Sequence, residues 1–469
     1  MGGEALSIDP ETILSFSRPG PRYTSYPTAP VWSDWEESGD AEARAAYRRC
    51  AEHPDEPLSL YIHLPFCIRR CLFCGCTVEV TNQKERVTRY LDALEREIDE
   101  VSQLLGDRRG VIQMHWGGGT PTHLDPEELR RVHAMVASRF RFLPGAEVSI
   151  EIHPHITTDE HLDTLFELGF NRISMGVQDT DPEVQAIIHR DQTVEETTRC
   201  VERCRRNGVD GINLDLMYGL PAQTEATFHA TLDTVADLRP DRLAIYGYAH
   251  VPWLKKTQKV LEEAGLPGPV ERARLFALAI DRLGEEGYRV IGLDHFALPT
   301  DSLYQALEAG TLARNFMGYA ALPGGAAMGD MVAFGASAIG DVGGAFLQNA
   351  RDTKGYEALI DRGLLPVQRG MVRSVDDDLR RAIILSIMCR MRLDLGELER
   401  ELAVPGLAER FAPELAELKA FTADGFCTFE DGRMEVTPTG RLFLRHLAMV
   451  FDAYLDKKNS TKGRFSQTV

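Results

Sequence analysis

From Leu58 onward, short apolar runs alternate with amphipathic segments. This alternation constrains the fold more than any other feature of the 469-residue chain. "LSLYIHLP", "GVIQMHW", "EVSIEIHP", "NRISMGVQ", "GINLDLMYGL", "RLAIYGYAH" and "YRVIGLDHF" have the length and composition of strands. Helical patterns lie between them. In "VTRYLDALEREIDEVSQLLG", Val87, Leu91, Leu94, Ile98, Val101 and Leu105 recur at steps of four and three, one face of a helix, and Gly106 stands where it would end. "DPEELRRVHAMVASRF" opens with Asp125 as N-cap, Pro126 at the first helical position and Glu128 at the third. Residues 158–168, 181–207, 223–238 and 265–286 carry further helical patterns. Strands alternating with helices mean parallel βαβ units. Six or seven of them suggest a full or partial β/α barrel, with a doubly wound sheet as the alternative.

The expected division is an N-terminal arm over 1–54, the β/α region over 55–350 and a mostly helical domain over 351–469. The arm reads as irregular. Its "RPGPRYTSYPTAP" has four prolines and is rich in Tyr and Arg, which suits a segment that covers a surface. After residue 350, "DDDLRRAIILSIMCRM" and "LGELERELA" are helical, and "FCTFEDGRMEVTPTGRLFLRHLAMVFDAYL" reads as a hairpin around Asp431-Gly432 followed by a helix. The order is winged-helix-like. A packing role is preferred over nucleic-acid binding, because 52 basic against 71 acidic residues leave a net charge of −19, which repels phosphates. The tail "KKNSTKGRFSQTV" reads as a frayed terminus.

Met1 to Pro10 lacks a basic start and an apolar run, "MGGEAL" has Leu6 where myristoylation requires Ser or Thr, and no stretch approaches a membrane span. A cytoplasmic protein is expected, and without an obvious dimer seam a monomer. In a reducing compartment, clustered cysteines point to metal or catalysis rather than disulfides. Four of the nine cysteines fall within "PFCIRRCLFCGC": Cys67, Cys71, Cys74 and Cys76. Cys50, Cys200, Cys204, Cys389 and Cys427 are scattered and read as small core side chains. Zinc sites usually come as two separated pairs, and no second pair exists here. Three cysteines spaced C-x3-C-x2-C can instead wrap a cubane and bind three of its irons, leaving the fourth open to a ligand.

C-x3-C-x2-C with Phe73 before the third cysteine resembles the radical S-adenosylmethionine (radical SAM) signature. "LYIHLPFCIRRCLFCGC", "GPRYTSYPTA", "GGGTPT", "GFNRISMGVQD", "LDLMYGLP", "DRLAIYGYAH", "GLDHFA" and "GRLFLRHLAMVFDAYL" are together similar to the oxygen-independent coproporphyrinogen III oxidases. The resemblance covers nearly the whole chain and implies a partial β/α barrel of the radical SAM type. It implies one 4Fe–4S cluster on Cys67, Cys71 and Cys74, and two S-adenosylmethionine molecules. The first would contact Tyr61, Gly118, Glu151 and Ile339; the second Phe73, Gly119, Thr120, Gln178, Arg190, Asp215 and Ala249. Tyr61 and His63 alternate with Ile62 and Leu64, so both face one side, expected to be the cluster side. Cys76 is expected near the substrate or second cofactor rather than on the cluster. The implied reaction is oxidative decarboxylation of two propionates of coproporphyrinogen III, started by a 5′-deoxyadenosyl radical and giving protoporphyrinogen IX. A flavodoxin- or ferredoxin-like donor would supply the electron, and Arg22 or Arg190 would meet substrate carboxylates.

Two places depart from the family pattern. His153-Pro154-His155 follows Glu151 where Asp-Pro-Arg is usual, and Met317 in "RNFMGY" stands where Gln is usual. These leave open a paralogue that acts on another substrate, by haem degradation or methyl transfer, and a haem-binding chaperone. Cys71→Ala is expected to abolish both the iron–sulfur absorbance of air-free protein and turnover, whereas Cys427→Ala retains the absorbance.

Overall fold

The computed structural model describes residues 7–326, 328–430 and 432–455. The start of the chain, the turn residue Asp431 and the polar tail therefore lie outside or partly outside the described residues. Six consecutive parallel strands form the heart of the molecule: β1 (Leu58–Leu64), β2 (Gly110–Gly118), β3 (Arg141–Ile152), β4 (Arg172–Gln178), β5 (Gly211–Tyr218) and β6 (Arg242–Gly247). They are joined or followed by α1 (Lys84–Leu104), α2 (Pro126–Ala137), α3 (Asp159–Glu167), α4 (Val194–Arg206), α5 (Glu225–Leu238) and α6 (Pro269–Glu285). The Asp125 capping box forms as its sequence implies.

Alternation within the strands sorts side chains between two environments. Leu60, Ile62, Leu64, Met114, Trp116, Ile150, Ile173, Ile212, Leu214 and Leu216 are completely buried toward the helices. Tyr61, His63, His115, Ser149, Glu151, Ser174, Asn213 and Asp215 occupy the alternate positions and face the barrel interior. Two ion pairs, Arg172 Nε to Glu147 Oε2 at 2.8 Å and Arg242 Nε to Asp301 Oδ1 at 2.7 Å, satisfy buried charge near the N-terminal ends of β4 and β6.

The barrel is partial. "YRVIGLDHF" is not a seventh parallel strand: it splits into an antiparallel hairpin, Arg289–Gly292 with His295–Ala297, because Leu293 turns the chain at φ +57°. On the other side, β7 (Met331–Phe334) pairs parallel to β1. Ile339–Val342, Ala345–Asn349, Val367–Val372 and Ser33–Asp34 then extend the sheet antiparallel to thirteen strands. The sheet thus runs past residue 350. The arm is also less irregular than its prolines imply. Pro10–Phe16 and Gly39–Ala51 are helical, and the second buries Ala43, Ala46, Tyr47 and Cys50, a one-face spacing. The pattern at 181–207 is two helices, Pro182–Ile187 and α4, broken where His189 adopts φ +56° and Thr193 caps α4.

The C-terminal region has helices at Val375–Leu385, Leu395–Leu402 and Ala412–Ala420 and a three-stranded sheet containing the expected hairpin, Cys427–Glu430 with Arg433–Val436. The arm ties it to the barrel. Phe16 packs edge-on to Phe426 and Phe443, and Tyr23 Oη donates to Asp452 Oδ2 at 2.9 Å.

One buried cluster fixes β7 against β1. Glu97 on α1 accepts from Gly335 N–H (2.8 Å), Tyr356 Oη (2.6 Å) and Asn349 Nδ2 (2.7 Å). Tyr90 Oη donates to His63 O at 2.8 Å and accepts from Ala336 N–H at 3.0 Å. Gly335 sits at φ +97°, where a Cβ would lie 2.5 Å from Tyr90 Oη, so only glycine fits. Glu97→Ala leaves the buried Gly335 N–H and Tyr356 hydroxyl without an acceptor and removes one of the two acceptors of Asn349 Nδ2, and is expected to destabilise the fold by roughly 3 kcal/mol, measured by urea denaturation.

Candidate active site

The strand order places the C-terminal ends of β1 to β4 side by side, and the cysteine loop leaves directly from β1. Its first residues lie against the glycine turn that ends β2. Gly119 N–H donates to Leu64 O at 2.9 Å and Thr120 N–H to Phe66 O at 2.8 Å. A Cβ at Gly119 would stand 2.6 Å from the Pro65 carbonyl, so a side chain there would push the cysteine loop off its seat. Cys67 Sγ lies 3.5 Å from Thr120 Oγ1. Further along, Leu72 N–H donates to Ile188 O and Arg69 pairs with Asp191 at 2.6 Å, which ties the loop to the break before α4.

Cys67, Cys71 and Cys74 are half-buried and Cys76 is exposed, while the five scattered cysteines are buried. Burial pushes the Cys67 thiol up to about 11 and raises Cys71, against which the neighbouring Arg190 guanidinium acts. Hydrogen bonding from Cys76, whose backbone N–H reaches Cys74 Sγ at 3.4 Å, pulls the Cys74 thiol down. Among the described residues no three His, Cys, Asp or Glu side chains are arranged to hold a single ion. A cubane asks for something else: three thiolates, each on its own iron, with positive charge nearby to offset the anionic cluster. Three mutually perturbed thiols beside Arg70 and Arg190 fit that group.

Inside the mouth, Glu151 Oε2 accepts from Gly118 N–H at 3.2 Å, and Oε1 lies 3.5 Å from His115 Nε2. Burial opposes its ionisation, but His115 and Gly118 outweigh it and hold the carboxyl below its usual range. Tyr61 stacks on His115 with ring centroids 6.1 Å apart. His63 Nε2 lies 3.0 Å from Thr77 O, so this nitrogen carries the proton, and Nδ1 accepts from Tyr61 Oη at 3.1 Å. Burial lowers the His63 pKa, which keeps the ring neutral. Ile339 begins the strand just after the Gly335 turn, at the same end of the sheet.

Asp215 is set apart from Glu151. Burial, then the Glu151 charge, raise it to about 7, although Asn213 Nδ2 donates to it at 2.8 Å. Gln178, at φ +71°, ends β4, and Arg190 crosses beneath it to donate to Gly176 O and to Gln192 Oε1 at 3.0 Å. Arg190 Nε is buried without a partner, and Nη1 lies 3.9 Å from Cys71 Sγ. Phe73 and Ala249 are far apart in sequence, yet Gln258 Nε2 donates to both carbonyls, at 3.0 and 3.3 Å. Sequence reasoning missed Gln258, His115 and Asn213. The alternation along β2 and β5 would have placed the latter two on the interior face; nothing local marks Gln258. Of the departures from pattern, His153 is pushed down to about 2 by burial and then Arg190, and its Nδ1 has no partner, while His155 pairs with Glu196 at 2.9 Å. Met317 lies in the tight turn between Ala313–Asn315 and Gly318–Ala320, its N–H held by Asn315 Oδ1 at 2.8 Å.

Comparison with known proteins decides the family. The model of the radical SAM superfamily matches residues 61–235, and that of the HemN C-terminal domain matches residues 374–443. Oxygen-independent coproporphyrinogen III oxidase of Salmonella typhimurium is 39% identical over 469 residues, all of both chains. The Helicobacter pylori J99 enzyme of that name is 40% identical over 466 residues, 99% of this chain and all of its own. The chain belongs to the oxygen-independent coproporphyrinogen III oxidases. A solved Escherichia coli coproporphyrinogen III oxidase, described as a radical SAM enzyme, superposes with a TM-score of 0.86 at 40% identity, covering 92% of this chain and 98% of its own. Membership of this oxidase family implies a 4Fe–4S cluster and S-adenosylmethionine as cofactors, in a radical SAM partial barrel with a helical C-terminal domain.

The raised Asp215 pKa has a sign that can be tested. The folded value, about 7, lies above the ordinary 3.8, so the group's contribution to stability is full below 3.8 and is lost as pH rises through 7. In cofactor-free protein, Asp215→Asn is expected to raise Tm relative to the parent above about pH 7 and to match it at the acid end, measured by thermal denaturation across pH.

Proposed function

We propose that this oxidase converts two propionates of coproporphyrinogen III to vinyl groups, yielding protoporphyrinogen IX and two molecules of carbon dioxide. The observation that carries the reading is full-length identity of 39% to named coproporphyrinogen III oxidases, arm and C-terminal domain included. Each propionate loses a hydrogen atom, an electron and carbon dioxide. When bound, the cluster and S-adenosylmethionine supply the one-electron chemistry that removes the hydrogen atom from the β-carbon.

In this reading Cys67, Cys71 and Cys74 hold the cluster. Tyr61, Gly118, Glu151 and Ile339 hold one S-adenosylmethionine; ionised Glu151 suits the ammonium or ribose of that ligand. Phe73, Gly119, Thr120, Gln178, Arg190, Asp215 and Ala249 hold a second, and Gln258 supports the assignment by linking Phe73 to Ala249. Arg190 Nε, with no protein partner, suits a carboxylate. Neutral His63 orients the Tyr61 hydroxyl at the base of the site, and exposed Cys76 faces the second cofactor or the substrate. Among the described residues no helix is long and apolar enough to cross a membrane. A cytoplasmic monomer reduced by a flavodoxin- or ferredoxin-like donor completes the proposal, with the working division at residues 54 and 350.

Anaerobic, reconstituted protein given S-adenosylmethionine, a reductant and coproporphyrinogen III is expected to release carbon dioxide and 5′-deoxyadenosine in equal amounts and to give protoporphyrin after oxidation. Cofactor cleavage without carbon dioxide would point to another substrate; haem binding without turnover would point to a chaperone.

A further inference from the structure

At the open edge of the barrel, three elements distant in sequence bring arginines together. Arg22 comes from the arm, Arg314 from the strand Ala313–Asn315, and Arg445 from the C-terminal helix Leu444–Met449. Arg22 Nη1 pairs with Asp294 Oδ2 at 2.5 Å, and its guanidinium lies 5.3 Å from the centre of the Tyr246 ring. Its side chain keeps 34% of its surface exposed. Asp294 is shared, since His295 Nδ1 lies 2.9 Å from Oδ1. Arg314 Nη2 donates to Arg22 O at 3.3 Å, and its guanidinium lies 4.5 Å from the centre of the Tyr319 ring. Yet Arg314 is only 4% exposed, its Nε and Nη1 are buried without a hydrogen-bond partner, and among the described residues no carboxylate pairs with it. Arg445 is 3% exposed and is pushed down to about 9, by burial first and then by the charge of Arg22.

Burying an arginine with two idle donors next to other cations is unfavourable unless an anion completes the group. The nearby carboxylate, Asp294, gives Oδ2 to Arg22, while Oδ1 lies close to His295 Nδ1 without forming a hydrogen bond, and neither oxygen reaches Arg314. The place also matters. Register runs from Gly176 through Asp215 and Ala244 to His295 across four strands, so His295 shares the interior row of Asp215. Tyr246 follows Ala244 by two residues on the same strand, so its side chain lies on the same face as Asp215's neighbour, and Arg22 sits over its ring. The cluster therefore borders the reaction chamber on the side away from the cysteine loop, where a large tetracarboxylate macrocycle would extend.

We infer that Arg22 and Arg314, backed by Arg445, form a carboxylate-anchoring subsite that grips a propionate of the tetrapyrrole. The inference rests on the coproporphyrinogen reading above. Carboxylates could come from two sources, the tetrapyrrole or the methionine part of S-adenosylmethionine, and the arginines come from the arm, the hairpin of Ala313–Asn315 and the C-terminal helix rather than from the strand-end loops beside the cysteines.

The test is binding of oxidised coproporphyrin III, which does not turn over, to full-length reconstituted protein, followed by quenching of porphyrin fluorescence across a series of salt concentrations. Arg314→Gln and Arg22→Gln are each expected to weaken binding about tenfold or more and to flatten its salt dependence, with Arg314→Lys recovering part of both. S-adenosylmethionine affinity, measured separately, should not follow the loss; if it alone fell, the subsite would belong to the cofactor and the inference would be overturned. Unchanged porphyrin affinity and salt slope in both glutamine variants would overturn the subsite while leaving the substrate reading standing. Failure of the parent to bind the porphyrin would overturn both. Should Arg314→Gln not hold its fold, judged by circular dichroism, Arg22→Gln on the partly exposed arm decides alone.

Discussion

The site depends on a contact that has no room for a side chain. The glycine turn after β2 lies backbone to backbone on the start of the cysteine loop, through Gly119 N–H to Leu64 O and Thr120 N–H to Phe66 O. Two main-chain hydrogen bonds hold the loop where its thiols meet the polar mouth of the barrel, and side-chain rotamers cannot loosen them. The same turn offers Gly118 N–H to Glu151. One piece of backbone thus sets both the height of the cysteines and the direction of the carboxylate across from them.

Electrostatics then separates two similar residues. Glu151 and Asp215 both face the interior of the barrel, but only Glu151 receives His115 and a backbone N–H, so it stays ionised. Asp215, with Asn213 and a weaker contact to Ser174, cannot offset burial and the charge of Glu151. Their environments push the two pKa values apart, which equips one chamber with an anion and with a carboxyl whose charge responds to what enters. On the far side, the arginines of the arm and C-terminal region reverse the sign. A protein with a net charge of −19 can therefore present a local cationic edge to an acidic substrate.

Much of this was legible along the chain. Period-two alternation in "LSLYIHLP" put Tyr61 and His63 on one face, and the cysteine spacing pointed to a cluster loop rather than a zinc pair. Reading failed where local pattern and tertiary packing disagree. "YRVIGLDHF" has a strand's composition, but Asp294 in its middle turns to meet Arg22, and the chain doubles back. The arm's prolines concealed the face of Ala43, Ala46, Tyr47 and Cys50, because irregularity at 18–30 says nothing about residues 39–51. Gln258 carries no local signal: its amide matters only because folding brings the Phe73 and Ala249 carbonyls within its reach.

The sequence by itself determined the parallel β/α succession, the thiol loop after the first strand and the shared face of Tyr61 and His63, since each follows from periodicity or spacing over a few neighbours. Only the tertiary structure decided that the barrel stays open, that the sheet grows to thirteen strands across residue 350, and that Arg22, Asp294, Arg314 and Arg445 share one edge. Those outcomes depend on which strand edge remains unpaired and on charges hundreds of residues apart meeting in a low-dielectric space, quantities that no local stretch of chain encodes.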